Sequence, residues 1–320
     1  MTQPTRLQHL PIAFFAMVMG LSGLTLVWQK AAEVLGAPAA VGQGLVAVVA
    51  TVFVVLAVAY AAKALRYPAA VRAELDHPVK LSFFPTISIS LILLGTALRH
   101  YLPTLSLWLW GLGTALQLVL SLFIINRWMH HGHFEVVHMN PAWFIPAVGN
   151  ILVPVAGMTH GYASVSWFFF SIGVVFWMIL LTIVFYRIIF HAPLPGRLLP
   201  TLFILIAPPA VGFIAYIALV GELDSFARIM LNIAVFLALL LLIQIRRFAA
   251  LDFFLSFWAY SFPIAAMTIA LLLYRHDIEG WPVWAIGLGL LYVAAALTLY
   301  SMALYMMAAM RAVADGASQG

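Results

Sequence analysis

Apolar residues fall along this chain in long unbroken blocks, near positions 10–28, 41–62, 82–98, 103–126, 143–158, 164–188, 200–221, 226–245, 252–274 and 281–309. About 20 apolar residues in a helix cross the roughly 30 Å of a bilayer's hydrocarbon. All but the short block at 143–158 approach or exceed that length, and the pattern predicts ten transmembrane helices. Polar breaks separate them, such as RYPAAVRAELDHPVK, RWMHHGHFEVVHMN, HAPLPGR and YRHDIEGWP.

A second pattern lies inside the blocks. The odd ones carry HLPIAFFAMVMG, FFPTISISLILLG, FIPAVGNILVPVAG, APPAVGFIAYIALVG and SFPIAAMTIALLL, with prolines at Pro11, Pro85, Pro146, Pro209 and Pro263. The even blocks lack this proline and have the composition of ordinary lipid-facing helices. An interior proline removes a hydrogen bond and bends a helix, and a membrane span accepts one only where other groups satisfy the freed backbone. A feature recurring in alternate blocks reads as an internal repeat. Five helical hairpins follow, with quasi-five-fold symmetry, kinked odd helices inside and straight even helices outside, around a central pore.

Aligned on the prolines, the preceding residue is apolar throughout: Leu10, Phe84, Ile145, Pro208 and Phe262. Three residues after the proline stand Phe14, Ser88, Gly149, Gly212 and Ala266, four of them small. Small residues permit close helix approach or leave a narrow lumen. Phe262, beside its kink, is the expected gate, because bulky apolar groups close a narrow pore by occlusion or dewetting. Phe84 holds the equivalent place in the second repeat and is expected to assist. The competing reading is that both rings pack between helices.

Composition agrees with the membrane reading: 65% of the 320 residues are hydrophobic and 8% are charged, against about 25% charged in soluble domains. The 15 Lys and Arg outnumber the 10 Asp and Glu, and such an excess marks cytoplasmic loops. Placing the N-terminus inside puts 11 of the 15 cationic residues on the cytoplasmic side, leaving Lys30, Arg99, Arg228 and Arg275 outside. Both termini are then cytoplasmic, as an even number of spans requires. The expected organisation is one transmembrane domain over 1–320, with a short N-terminus at 1–9 and a short C-terminus at 311–320.

The chemistry this leaves is limited. The absence of cysteine excludes disulfides and thiolate metal sites. No nucleophile–base pair, phosphate loop or paired intramembrane carboxylate is present, so an enzyme is not expected, nor a cofactor or a nucleic-acid partner. His130, His131, His133, Glu135 and His138 are of metal-ligating type, but their loop reads as solvated, and no metal is expected. Arg99 and His100 end the third span and form either an anion-attracting rim or an interface marker. The RYPAAVRAELDHPVK segment reads as a cytoplasmic loop, with basic residues placed to meet anionic lipid. Proton relays and cation pathways usually carry an intramembrane acid; the odd blocks have none, so a neutral lumen in a cationic protein favours anions.

The segments LPIAFFAMVMGLSGLTLVW, LRYPAAVRAELDHPVKLSFFP, FEVVHMNPAWFIPAVGN, APPAVGFIAY and FWAYSFP, in this order and spacing, resemble the tellurite-resistance/dicarboxylate transporter family. That family includes the bacterial tellurite-resistance protein TehA and the plant guard-cell slow anion channel. The resemblance runs over about residues 7–312. It implies ten helices in five hairpins around a pore, a homotrimer with one pore per subunit, a pore-blocking aromatic at Phe262 and a helix-packing role for Gly20. Phe14 departs from the pattern, being large where a small residue would open the lumen; it either narrows the path or turns toward a neighbouring helix. The long cytosolic tails of the plant members, with their kinase control, are not carried over. The expectation is a channel of the bacterial inner membrane passing small monovalent anions such as chloride or nitrate. The alternatives are a proton-coupled carrier of C4-dicarboxylates such as malate, or a tellurite-related transporter, with a non-transporting membrane scaffold or sensor as a third class.

Overall fold

The computed structural model describes residues 6–130 and 134–274. The tenth block, Arg275, Arg311, the C-terminal residues, His131 and His133 lie outside them. The described residues are helical, without strands. Eight helices are long and apolar enough to cross a membrane: α1 (Ile12–Leu35), α2 (Ala39–Arg66), α3 (Lys80–Leu98), α4 (Pro103–His130), α6 (Ala163–Phe190), α7 (Gly196–Val220), α8 (Ser225–Leu242) and α9 (Leu255–Tyr274). The shorter α5 (Pro141–Gly157) stands between α4 and α6. These are the first nine expected blocks, each shifted by a few residues.

Burial separates odd from even. In α1, α3, α7 and α9, 56–89% of the apolar window is buried inside the protein; in α2, α4, α6 and α8 the share is 22–33%. Each of the first four odd segments packs against the even one that follows it. The odd segments also touch in sequence, α1 to α3, α3 to α5, α5 to α7, α7 to α9, and α9 returns to α1. They close an inner ring with the even helices on its outside.

The odd segments are broken helices. Each opens in 3-10 geometry, at Ile12–Phe14, Lys80–Phe83, Pro141–Trp143, Gly196–Ile206 and Leu255–Phe257, and then passes into α-helix. The prolines sit at or near that change, and their missing N–H gives the reason. The carbonyls of Leu7 and Leu81 are those that Pro11 and Pro85 would serve in an α-helix; they accept instead from the N–H of Leu10 and Phe84, each at 3.2 Å. This tighter i→i+3 pattern is the usual repair. Pro146 and Pro209 are each the third residue of an α-helical stretch and Pro263 the sixth of its own, while Pro11 and Pro85 precede theirs, so most of the breaks are changes of helix type rather than simple mid-helix kinks.

Helix type also explains the short fifth span. Its 17 residues include Pro141–Trp143 and Gly149–Leu152 in 3-10 form. At about 2.0 Å per 3-10 residue and 1.5 Å per α residue the segment reaches roughly 29 Å, enough to cross hydrocarbon. Its backbone is satisfied laterally. The Pro146 carbonyl accepts from Gln117 Nε2 (3.0 Å) and Ser121 Oγ (2.6 Å) on α4, and Asn150 Nδ2 donates to Ser121 Oγ (3.2 Å).

The segment 68–76, expected as a solvated loop, folds into the helix Pro68–Asp76 and places Glu74 in the interior. Glu74 pairs there with Lys63 of α2 at 2.8 Å and accepts from Tyr60 Oη at 2.7 Å. Lys63 Nζ also donates to the Leu10 carbonyl (2.7 Å), and the Ile12 N–H to Glu74 Oε1 (3.4 Å). Lys63 and Glu74 are only 1% and 6% exposed, so the pair is a buried clamp on the entry to α1, not a pair of loop charges. The left-handed Gly36 and Gly221 (φ 69° and 79°) close α1 and α7, a conformation that favours glycine.

Candidate functional site

Three cavities lie within the inner ring. The first, about 440 Å³, opens toward the helix ends that carry Lys30, Arg99 and His100. The second, about 210 Å³, reaches Leu198, Thr201 and Ser256 at the opposite end of the helices. The third, about 50 Å³, lies between α3, α5 and α7. Among the described residues, Phe262 of α9 is the one that lines all three. Its neighbours form an apolar collar: Leu152 and Val211 are shared by the first and third cavities, and Met19, Ile145, Ile204 and Ala207 by the second and third.

The lining follows from helical phase. On α1 it runs Ala16, Met19, Gly23, Leu26, Lys30 and Glu33; on α9 it runs Ala259, Phe262, Ala266, Ile269 and Leu273. Steps of three and four residues keep one face of a helix inward. Close approach of α1 and α9 supports Phe262 from behind. A Cβ on Gly20 would lie 2.1 Å from Ser261 Oγ, and one on Gly23 would lie 3.0 Å from Ala265 Cβ and 3.3 Å from Phe262 Cδ2. Gly20 is therefore a packing position.

The expected small-residue ring is not assembled on the cavities. Ala266 lines the first cavity and Gly149 the third. Ser88 instead bonds Gln117 Oε1 on α4 (2.6 Å), and a Cβ on Gly212 would meet Met230 Cε of α8 at 2.0 Å. These small positions seat outer helices against inner ones. Phe14 turns into the apolar cluster shared by α1 and α2. Phe84, expected beside Phe262, is buried with its ring edge-on to Tyr60 at 6.4 Å, and it lines none of the three cavities. Its neighbour Phe83 lines the second. Of the five aligned prolines Pro263 lines a cavity, and Pro208, beside Pro209, lines the third; Pro11, Pro85, Pro146 and Pro209 are absent from the three described linings. Every face of a helix repeats at three-four spacing, and α1 and α9 are apolar almost all round, so the sequence does not single out these stripes.

Charge is distributed unevenly. The second and third cavities have no Lys, Arg, Asp or Glu in their described linings, while Lys30, Glu33 and Arg99 line the first. Lys30 pairs with Glu33 at 3.0 Å. Arg99 Nε donates to His100 Nε2 at 2.9 Å, and among the described residues no carboxylate forms an ion pair with it. Burial lowers the pKa of Arg99, and burial followed by the Arg99 charge lowers that of His100; an arginine stays protonated regardless. In the 130–138 loop, Glu135 and His138 cap a short 3-10 turn, and no group of three metal-ligating side chains occurs among the described residues.

Residues 9–308 match the family described as SLAC1, voltage-dependent anion channel. The chain is 30% identical over 283 residues to the S-type anion channel SLAH3 of Arabidopsis thaliana, covering 84% of this chain and 44% of that protein. It is 25% identical over 304 residues to the guard cell S-type anion channel SLAC1 of the same plant, covering 91% and 54%. It is 27% identical over 281 residues to the tellurite resistance protein TehA homolog of Haemophilus influenzae, covering 86% and 85%. The chain thus spans about half the length of these plant relatives and most of the bacterial one. A match over nearly the whole chain, with eight helices of membrane-crossing length among the described residues, makes this multi-pass membrane protein a member of the SLAC1/TehA voltage-dependent anion channel family.

Proposed function

We propose that the chain conducts small monovalent anions, such as chloride or nitrate, along the axis of the inner ring, and that Phe262 is the gate. The observation carrying this reading is that, among the described residues, Phe262 alone lines the cavities at both ends and the small one between. A benzyl group in an apolar collar blocks an ion both sterically and by keeping water out. Phe84, packed on Tyr60, has no part in the gate. The five-hairpin arrangement, with quasi-five-fold symmetry, is supported by the closed ring and the proline repeat; the tenth block lies outside the described residues. Assembly as three copies, implied by the family resemblance, is checked by native mass spectrometry.

The test is bilayer or oocyte recording of wild type beside Phe262→Ala under asymmetric chloride. Removing the ring is expected to raise conductance about tenfold or more, equivalent to lowering the barrier by about 1.4 kcal/mol. Unchanged conductance in a well-folded variant would refute the gate. The same recording separates channel from carrier. No Asp or Glu is among the described residues lining the second and third cavities, so the reversal potential should follow the anion gradient and ignore an imposed pH gradient. A shift with pH would favour the proton-coupled dicarboxylate carrier.

A further inference from the structure

We propose that the Arg99 end of the first cavity is a loading site for one small inorganic anion, held by the Arg99 guanidinium on one side of Phe262, with no charged counterpart among the described residues lining the cavity on the other. The proposal rests on the anion-conducting reading above and adds a binding site to it.

Neighbouring bonds make the guanidinium the available donor. The first cavity is lined by two cations, Lys30 and Arg99, against one carboxylate, Glu33. Glu33 is engaged by Lys30. Arg99 Nε is engaged by His100, which leaves the terminal nitrogens of the fork as its free donors. Gln29 Nε2 donates to the Ala97 carbonyl and Thr96 Oγ1 to the Ile92 carbonyl, both at 2.8 Å, while Gln29 Oε1 is an acceptor without a partner among the described residues and Tyr101 also lines the wall. Arg99 is only partly exposed, and a charge partly withdrawn from water is screened less by salt than a surface one. The cavity's volume of about 440 Å³ admits an anion with part of its hydration shell.

Asymmetry follows from the other end, where the described lining of the second cavity carries no charge. An anion is concentrated beside Phe262 from the Arg99 side alone. In symmetric chloride the opened channel should therefore rectify, and its conductance should saturate with chloride offered from the Arg99 side.

The test uses the Phe262→Ala channel, in which current is measurable. Adding Arg99→Gln should raise the half-saturating chloride concentration about five- to thirtyfold and remove the rectification, while Arg99→Lys should keep most of both. Unchanged saturation and rectification in Arg99→Gln would overturn the site. So would an effect that vanishes when impermeant salt is added, since that marks a diffuse surface potential. If Phe262→Ala carries no anion current, the conduction reading fails, and the site is then judged by binding alone. Chloride replacing gluconate at constant ionic strength should raise the unfolding temperature of purified wild type and not that of Arg99→Gln. Equal response in the two proteins, with Arg99→Lys confirming that the position tolerates change, would sink the proposal.

Discussion

Glycine and serine set how closely α9 can bring Phe262 to the axis. A Cβ on Gly20 would meet Ser261 Oγ at 2.1 Å, Ser261 Cβ at 3.0 Å and Trp258 Cε3 at 3.1 Å. Gly20→Ala is therefore expected to cost about 1–3 kcal/mol, the usual range for overpacking, read as a lower unfolding temperature in detergent. Ser261→Ala in the same chain should restore part of it, because the closest clash is with the hydroxyl; no recovery would mean that α1 and α9 separate as rigid bodies. Gly212 differs, since the atom its Cβ would meet is the mobile end of Met230. Residue identity made Phe262 visible in the sequence as a large ring before a proline. Phe84 satisfied the same description yet turns toward Tyr60. One residue is 100° of helix rotation, so alignment on a proline cannot say which of two adjacent phenylalanines, Phe83 or Phe84, faces inward when the turn between them is 3-10.

Buried polar contacts join elements that are broken in themselves. Glu74, Lys63 and Tyr60 tie the helix Pro68–Asp76 and the end of α2 to the first residues of α1. Removing one partner of a buried pair leaves the other charged and unsatisfied, which typically costs about 3–5 kcal/mol. Glu74→Ala should accordingly lower the unfolding temperature sharply, whereas Lys63→Met with Glu74→Leu together should do so much less. Equal losses would show that the pair contributes through packing rather than charge. This clamp was not legible beforehand, because Lys63 and Glu74 sit in a stretch whose charges read as solvent-facing. Helix ends offered the same difficulty on α5, whose length falls short until its 3-10 turns are counted. On α3 and α4, by contrast, Gly95 and Gly113 give the backbones a contact near 2.9 Å to a built Cβ, the close approach that small residues allow.

At the scale of the whole molecule, the two ends differ: Lys30, Glu33 and Arg99 line the first cavity, while the described lining of the second carries no charge. The orientation proposed from loop charges puts the Arg99 end outside the cell and Lys80, Arg127, Arg197, Arg246 and Arg247 inside. The chain has no cysteine, so single-cysteine variants report topology without background. Tyr101→Cys should react with a membrane-impermeant maleimide added to intact cells, and Tyr67→Cys only after the cells are opened. The reverse result would invert the molecule and move the Arg99 site to the cytoplasmic face, without altering the gate.

The sequence by itself determined the positions of the eight described membrane-length helices and of the shorter α5, the alternation of inner and outer helices among them, and the large ring of Phe262 before its proline. These depend on the length of apolar runs, the loss of an N–H at each proline and the amount of polar surface, all local properties of the chain. Tertiary structure alone decided which face of each broken helix turns inward, that Ser88 and Gly212 contact the outer helices rather than the described cavities, that Lys63 finds Glu74, and that Arg99 forms no ion pair with a carboxylate among the described residues. Those outcomes depend on rotation about helix axes and on partners distant in the chain, and a hydrophobic pattern that is apolar on every face carries no information about rotation.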